Sequence, residues 1–417
     1  MVKHTRFAWL RSDKILHAAL FALLFFIPLS SSLKSIALVI SVVVLLVQKW
    51  NRHSMKSIRQ QPWVWWMCGL LFWVIISCLW SPALWNEQGF VVEKYTKLVW
   101  MPLLMLGFTH PKTRYIGLHV FVAAMLITVF VSFVMAIGWI HTNLPAGSVF
   151  RNHIITGHML AFASYVVGYY AIKDKQWRWA YILAFLLLSY EILFVSQGRT
   201  GYIMYAITMG LLTFQVFKRW QLFVAVVVLG LSGLLVFHTS AIMQASVDRI
   251  YKDLHGLHHG DANTSLGFRM QFHTFAHTLF KERPFIGNGS GALTYYFDER
   301  QPVPAWGKQL REPHNQYWLI AAEYGVVGLV LYFGWLVALI LASWRLQAMK
   351  PFAFALLIPF IVGSFTDSLI FYSGCGYFFL TLMALCLGEF DVLPRCTHNM
   401  NGTIGFRTHA KKGECAL

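Results

Sequence analysis

Apolar residues arrive along this chain in long unbroken blocks, of which LFVAVVVLGLSGLLVF at 222–237 is the plainest, and most connections between blocks are short. The strict in-out alternation of a lipid-facing barrel strand is absent, and about 20 continuous apolar residues are what a helix needs to cross a bilayer. The blocks predict twelve helical spans, near 15–30, 33–48, 62–81, 96–109, 116–140, 155–172, 179–195, 201–217, 221–238, 325–344, 351–367 and 373–388. One hydrophilic stretch is long. The predicted organisation is a segment 1–14, nine spans over 15–238, a long loop 239–313, three spans over 314–388 and a tail 389–417.

The loop has a pattern of its own. In TSLGFRMQFHTFAHTLFKERP, Thr264 or Ser265 can cap a helix that stops before Pro284. Phe268, Phe272, Phe275 and Leu279 recur at helical spacing as an apolar face, and Arg269, His273 and His277 step by four along a neighbouring one. PFIGNGSG follows, whose Gly287, Gly289 and Gly291 read first as a turn that permits close backbone approach.

Composition agrees with the pattern. Of 417 residues 57% are hydrophobic and 12% charged, with mean hydropathy +0.56, which excludes a soluble globular domain and leaves an all-α polytopic membrane protein. With an internal N-terminus, 21 of the 34 Lys and Arg fall on the inner side and five on the short outer connections. Both termini are then cytoplasmic and the long loop is outside. The net charge of +17 reflects this bias and calls for no nucleic-acid partner. No cleavable signal peptide is evident. Cys68, Cys78, Cys375 and Cys386 fall in spans and Cys396 and Cys415 in the tail, so the outer side has no disulfide framework; they read as small buried residues or idle thiols.

Three short outer motifs remain. FRNHIITGH places Arg151 and His153 before the sixth span, where an interfacial role is expected. VSQGRTGY places Arg199 at a span boundary, where an arginine can simply snorkel. REPHNQYWLIAAEYGVVG places His314 and Asn315 at the mouth of a span, with Asn315 suited to cap a helix beginning at Gln316 and Gly325 and Gly328 suited to close helix packing.

In this order, SQGRTGY, then GFR and PFIGNGSG in a long loop, then PHN-x9-G at a helix start, the chain resembles the O-antigen ligase and O-antigen polymerase superfamily over about 195–328. The resemblance implies a bacterial inner-membrane glycosyltransferase of C-type membrane fold. It would move a saccharide from undecaprenyl diphosphate at the periplasmic face, onto lipid A–core in the ligase branch or another lipid-linked oligosaccharide in the polymerase branch. It also implies that Arg199 and Arg269 bind the diphosphate and that His314 is the base at the acceptor; Arg151 and Asn315 are further substrate-binding candidates on their positions alone.

The residue chemistry is compatible. A guanidinium stays protonated and presents a planar fork to phosphate oxygens. Diphosphate leaves readily once its charge is stabilised, so the remaining task is proton removal from a sugar hydroxyl, for which imidazole is suited near neutral pH. A direct displacement would invert the anomeric centre. HxxHH at His255, His258 and His259, and the His273–His277 pair, could in principle hold zinc, but no HExxH, nearby Cys or Asp-x-Asp accompanies them; metal-independent catalysis without a cofactor is expected. Glu312 lies close enough in sequence to orient His314 but reads first as an exposed loop carboxylate, and Asp367 and Glu323 are secondary candidates because acids in apolar stretches are costly. Overall size and span plan favour a ligase, acting as a monomer, over a polymerase. A lipid-linked glycan transporter is the rival from another class; no internal repeat supports it, and the distinctive polar groups gather on one face.

Overall fold

The computed structural model describes residues 13–49, 52–140 and 147–391. The segment 1–12 and the tail with Cys396 and Cys415 lie outside the described residues. All regular elements among the described residues are helical: α1 (Asp13–Leu29), α2 (Ser31–Lys49), α3 (Arg52–Arg59), α4 (Pro62–Ile76), α5 (Trp85–Thr96), α6 (Trp100–Met105), α7 (Pro111–Ala136), α8 (His153–Lys173), α9 (Arg178–Tyr190), α10 (Arg199–Val216), α11 (Arg219–Thr239), α12 (Ala241–His258), α13 (Ser265–Glu282), α14 (Ala292–Arg300), α15 (Gln316–Arg345), α16 (Lys350–Gly363) and α17 (Ser373–Leu387).

Eight helices among the described residues are long and apolar enough to cross a bilayer. The other four predicted spans are helical but fall short in different ways: α1 has 17 residues, α10 is more polar, α16 has 14 residues and 96–109 is broken into short 3-10 and α segments around α6. The most telling element is α11, which buries none of its residues while exposing Phe223, Leu231, Leu234 and Leu235. A helix apolar on every side needs an apolar solvent, and lipid supplies it.

The long connection between α11 and α15 is folded. α13 begins at Ser265, capped by the Thr264 hydroxyl accepting from the Gly267 N–H at 3.1 Å, and buries Phe272, Phe275 and Leu279. Phe268 and Phe272 pack on Trp306, and Phe297 of α14 closes on Phe272 and Phe275, which ties the loop into one layer over the bundle.

That layer is anchored by a break in α15. Gly325 has φ 63° and ψ −161°, which interrupts the helix after Tyr324. An interrupted helix inside a bundle leaves backbone donors and acceptors that must find partners. The PFIGNGSG segment supplies them. The Val326 and Val327 N–H groups donate to the Pro284 and Phe285 carbonyls at 2.8 and 3.2 Å, while Asn288 and Gly289 N–H donate to Ala322 and Glu323 carbonyls at 3.1 and 2.8 Å. Trp73 and Trp80 indoles donate to the Tyr324 and Gly287 carbonyls. The approach is so close that a Cβ on Gly287 would lie 2.4 Å from the Glu323 carbonyl carbon, and one on Gly325 2.4 Å from the Phe285 oxygen. Gly325 is thus the break itself rather than a packing site between straight helices, and PFIGNGSG is a plug, more than a turn. Buried Glu323 belongs to the same joint, accepting from the Gly291 N–H at 3.0 Å.

Candidate active site

Arg199 opens α10. The π-helical turn Glu191–Val195 ends the preceding helix, the chain runs extended at Ser196, and α10 starts one residue after Gly198. α8 begins beside it: an added Cβ on Gly157 would lie 2.7 Å from the Gly201 Cα, so the two helix starts touch backbone to backbone. Arg269 arrives from the second turn of α13. Together with Arg249 of α12 these arginines line a cleft of about 420 Å³ whose walls include His153, Gln197 and Ser265. Arg199 is 3.3 Å from Asp253 and Arg269 is 3.7 Å from Asp367. Arg249 donates to the Ser246 hydroxyl at 2.8 Å and has no carboxylate partner among the described residues. Three guanidinium groups against two carboxylates leave the cleft electropositive. The pattern of the sequence brought Arg199 and Arg269 to attention; Arg249 carried no motif.

His314 sits where α15 begins, with φ 54°, a left-handed conformation that is uncommon for a side chain of this size. What holds it there is visible. The Glu312 carboxylate accepts from the His314 N–H at 2.7 Å and from the Tyr372 hydroxyl at 2.8 Å. Burial, with Glu312 alongside, raises the Tyr372 phenol above its ordinary pKa, so it remains a donor. Asn315 caps α15, its Oδ1 accepting from the Tyr317 and Trp318 N–H groups at 3.0 Å, and its Nδ2 donates to the Phe365 carbonyl. A strained residue between a cap and a clamped carboxylate is a site built to place one side chain.

The ring is oriented as well. His314 Nδ1 lies 3.0 Å from Asp367 Oδ1 and 3.1 Å from Glu312 Oε1. Two carboxylate acceptors at Nδ1 favour the tautomer with hydrogen there, leaving Nε2 as the basic nitrogen, and no protein group among the described residues bonds to Nε2. Asp367 is fully buried. Its Oδ1 faces both His314 and Arg269, so one carboxylate joins the imidazole to the arginine cleft. Neighbouring His273 is 3.4 Å from the His314 carbonyl; burial lowers its pKa, with the Arg269 cation acting in the same sense and the hydrogen bond to His314 opposing it.

On its other side His314 borders a second cleft, about 410 Å³, walled by Phe90, Lys94, Trp306, Arg311, Phe371 and Tyr372. Arg151 is in neither cleft. It reaches the Ile27 carbonyl at 2.9 Å and the Ser31 hydroxyl, at the turn between α1 and α2. Glu312, expected as an exposed loop acid, is buried because Tyr372 and the His314 backbone both require it.

Glu312, His314 and Asp367 each offer a donor atom within 4.8 Å of one another, a set that could hold a metal ion. Both Glu312 oxygens already accept hydrogen bonds, and the Arg269 cation shares Asp367 Oδ1. That arrangement suits orientation of an imidazole better than coordination. His255 of α12 and His259, just past its end, face each other at 3.2 Å and are not part of this set.

Residues 182–333 match a family model described as O-antigen ligase. That stretch of the chain is similar to the O-antigen ligase family domain. It runs from within α9 into the broken α15 and so contains Arg199, Arg249, Arg269, His314 and Asn315, whereas Asp367, Lys94 and Arg151 come from outside it. No curated protein matches the chain at a significant level.

Proposed function

We propose that the protein is an O-antigen ligase of the bacterial inner membrane. It transfers polysaccharide from undecaprenyl diphosphate to lipid A–core at the periplasmic face. On this reading the twelve-span plan holds, the end of the bundle bearing residues 240–315 faces the periplasm, and both termini are cytoplasmic. The observation that carries the proposal is the position of His314, which lines the aromatic cleft and is oriented at Nδ1 by Asp367, the carboxylate that also pairs with Arg269 of the arginine-lined cleft.

The chemistry follows from the two sides. The donor's diphosphate lies among Arg199, Arg249 and Arg269. An acceptor hydroxyl, approaching from the aromatic cleft, gives its proton to His314 Nε2 as its oxygen attacks the anomeric carbon. The bond from that carbon to the phosphate oxygen breaks, its electron pair departs on undecaprenyl diphosphate, and the three guanidinium groups stabilise the charge that develops. Attack opposite the leaving group inverts the anomeric centre. Asp367 stabilises the imidazolium that forms, and through Arg269 it couples base and leaving-group sites. No step requires a metal.

A reconstituted assay with purified protein, polyprenyl-diphosphate glycan and lipid A–core tests this. Transfer by the unmutated protein, lost in His314→Ala and Arg269→Ala, is expected; transfer at the unmutated rate by both variants would overturn the mechanism. The polymerase reading predicts a different cellular phenotype. Cells lacking a ligase carry no long chains on lipopolysaccharide and accumulate lipid-linked polymer, whereas cells lacking a polymerase carry core with a single repeat.

A further inference from the structure

Outside the long loop, five Lys and Arg lie at the end of the bundle where the charge bias disfavours them: Lys34, Lys94, Lys97, Arg151 and Arg199. Arg199 is accounted for by the arginine cleft. The other four gather on the opposite flank of His314. Lys34, 4% exposed in the first turn of α2, has its ammonium 3.8 Å from the Tyr377 ring centroid, and Lys97 faces the same ring from 5.6 Å. Lys97 donates to the Ile370 carbonyl at 2.6 Å. Arg151 donates to the Ile27 carbonyl and the Ser31 hydroxyl, but neither it nor Lys34 has a carboxylate partner among the described residues. The charges that bear on Lys34 are Arg151 and Lys94, both cations, and the Arg151 Nε is buried without a partner. Among the described residues the one ion pair any of them makes is Lys94 with exposed Glu93, at 3.6 Å.

Half-buried like charges without counter-ions oppose folding, and leaving a buried cation unpaired costs several kcal/mol by general estimate, ~3–5 when one partner of a pair is removed. An arrangement of this kind is kept when an anion binds it. Lys94 also walls the aromatic cleft at His314, so the cluster continues the path by which an acceptor must reach the base.

We propose that Lys34, Lys94 and Arg151 form an anion subsite for a phosphate group on the acceptor glycolipid, holding that lipid while its sugar hydroxyl meets His314. This rests on the transferase reading above. Bulk anionic phospholipid presents the same phosphate chemistry, so the test separates the two sources.

Full-length protein in nanodiscs of zwitterionic lipid is assayed with intact and with phosphatase-treated lipid A–core. Phosphate removal is expected to raise the acceptor KM of the unmutated protein about tenfold, the scale of one charge-assisted contact. Arg151→Gln, Lys94→Gln and Lys34→Met are each expected to raise the KM for intact acceptor by a similar factor, with kcat within about twofold, and to change nothing with treated acceptor. Arg151→Lys should recover part of the loss. Lys34→Met preserves chain length and relieves repulsion, so its melting temperature should hold or rise, which keeps the readout independent of misfolding. Equal KM for the two acceptors in the unmutated protein overturns the proposal. So does a variant effect that appears only when anionic phospholipid is added to the nanodisc. Failure of the unmutated protein to glycosylate either acceptor would instead defeat the transferase reading itself.

Discussion

The two clefts linked through Asp367 and His314 both carry cations, yet they are built differently. In the first, Arg199 and Arg269 come from elements inside the family domain, and each faces a carboxylate, Asp253 and Asp367. In the second, Arg311 also faces an acid, Glu87, and Lys94 of α5 lies beside exposed Glu93, but the cationic neighbours of Lys94, Lys34 and Arg151, have no acid partner among the described residues. Paired arginines give a pre-set, planar phosphate clamp whose geometry survives without ligand. Lys34 and Arg151, without an acid beside them, give attraction with less geometry. A reaction that must hold a diphosphate in line for displacement needs the first kind; a site that only retains an acceptor is served by the second.

The difference can be broken from either side. The largest effect is expected at the shared centre: His314→Ala should slow transfer about 10²–10⁴-fold, the usual scale of general-base catalysis, in a single-turnover assay with purified protein. Asp367→Asn should approach that loss, because it both frees the imidazole to adopt the wrong tautomer and leaves Arg269 without its acid. An unchanged rate in Asp367→Asn would remove Asp367 from the mechanism.

Next come the guanidinium groups. Arg199→Gln, Arg249→Gln and Arg269→Gln should each lower kcat/KM for the donor roughly 10–150-fold, as expected for ~1.5–3 kcal/mol per charged hydrogen bond, with Arg269→Gln the most damaging because Arg269 also pairs with Asp367, which orients His314. Donor titrations would detect this, and a variant that alters only the acceptor KM would place its arginine on the wrong side.

A stability effect follows. Gly325→Ala puts a Cβ where the Phe285 carbonyl oxygen already lies and demands a left-handed backbone from alanine, so a loss of about 1–3 kcal/mol and a lowered melting temperature in detergent are expected. Since the break anchors the loop that carries Arg269, activity should fall with stability. The smallest expected effect is that of thorough chelation, which should leave transfer unchanged. A loss restored by one added metal would give Glu312, His314 and Asp367 a different task.

Apolar runs on this scale admit little but helices in lipid, so fold class followed from local pattern; backbone groups that cannot bond to lipid must bond within a helix, and this holds before any packing is known. The caps were equally local. Thr264 and Asn315 bond to N–H groups within three residues of themselves, and both were readable as helix starts. Arg199, Arg269 and His314 stood out through motif order.

What only the tertiary structure decided depends on contacts far apart in the chain. Asp367 reaches His314 across 53 residues, and Tyr372 turns Glu312 from a loop acid into a buried clamp. Arg249 joins the arginine cleft with no motif to mark it. The PFIGNGSG segment and Gly325, two separate glycine signals in sequence, prove to be halves of one joint, since an interrupted helix is stable only where another backbone completes its hydrogen bonds. Periodicity reports which groups a chain must bury, because burial is set residue by residue. It does not report which distant group will lie opposite, because that is fixed by how the helices cross.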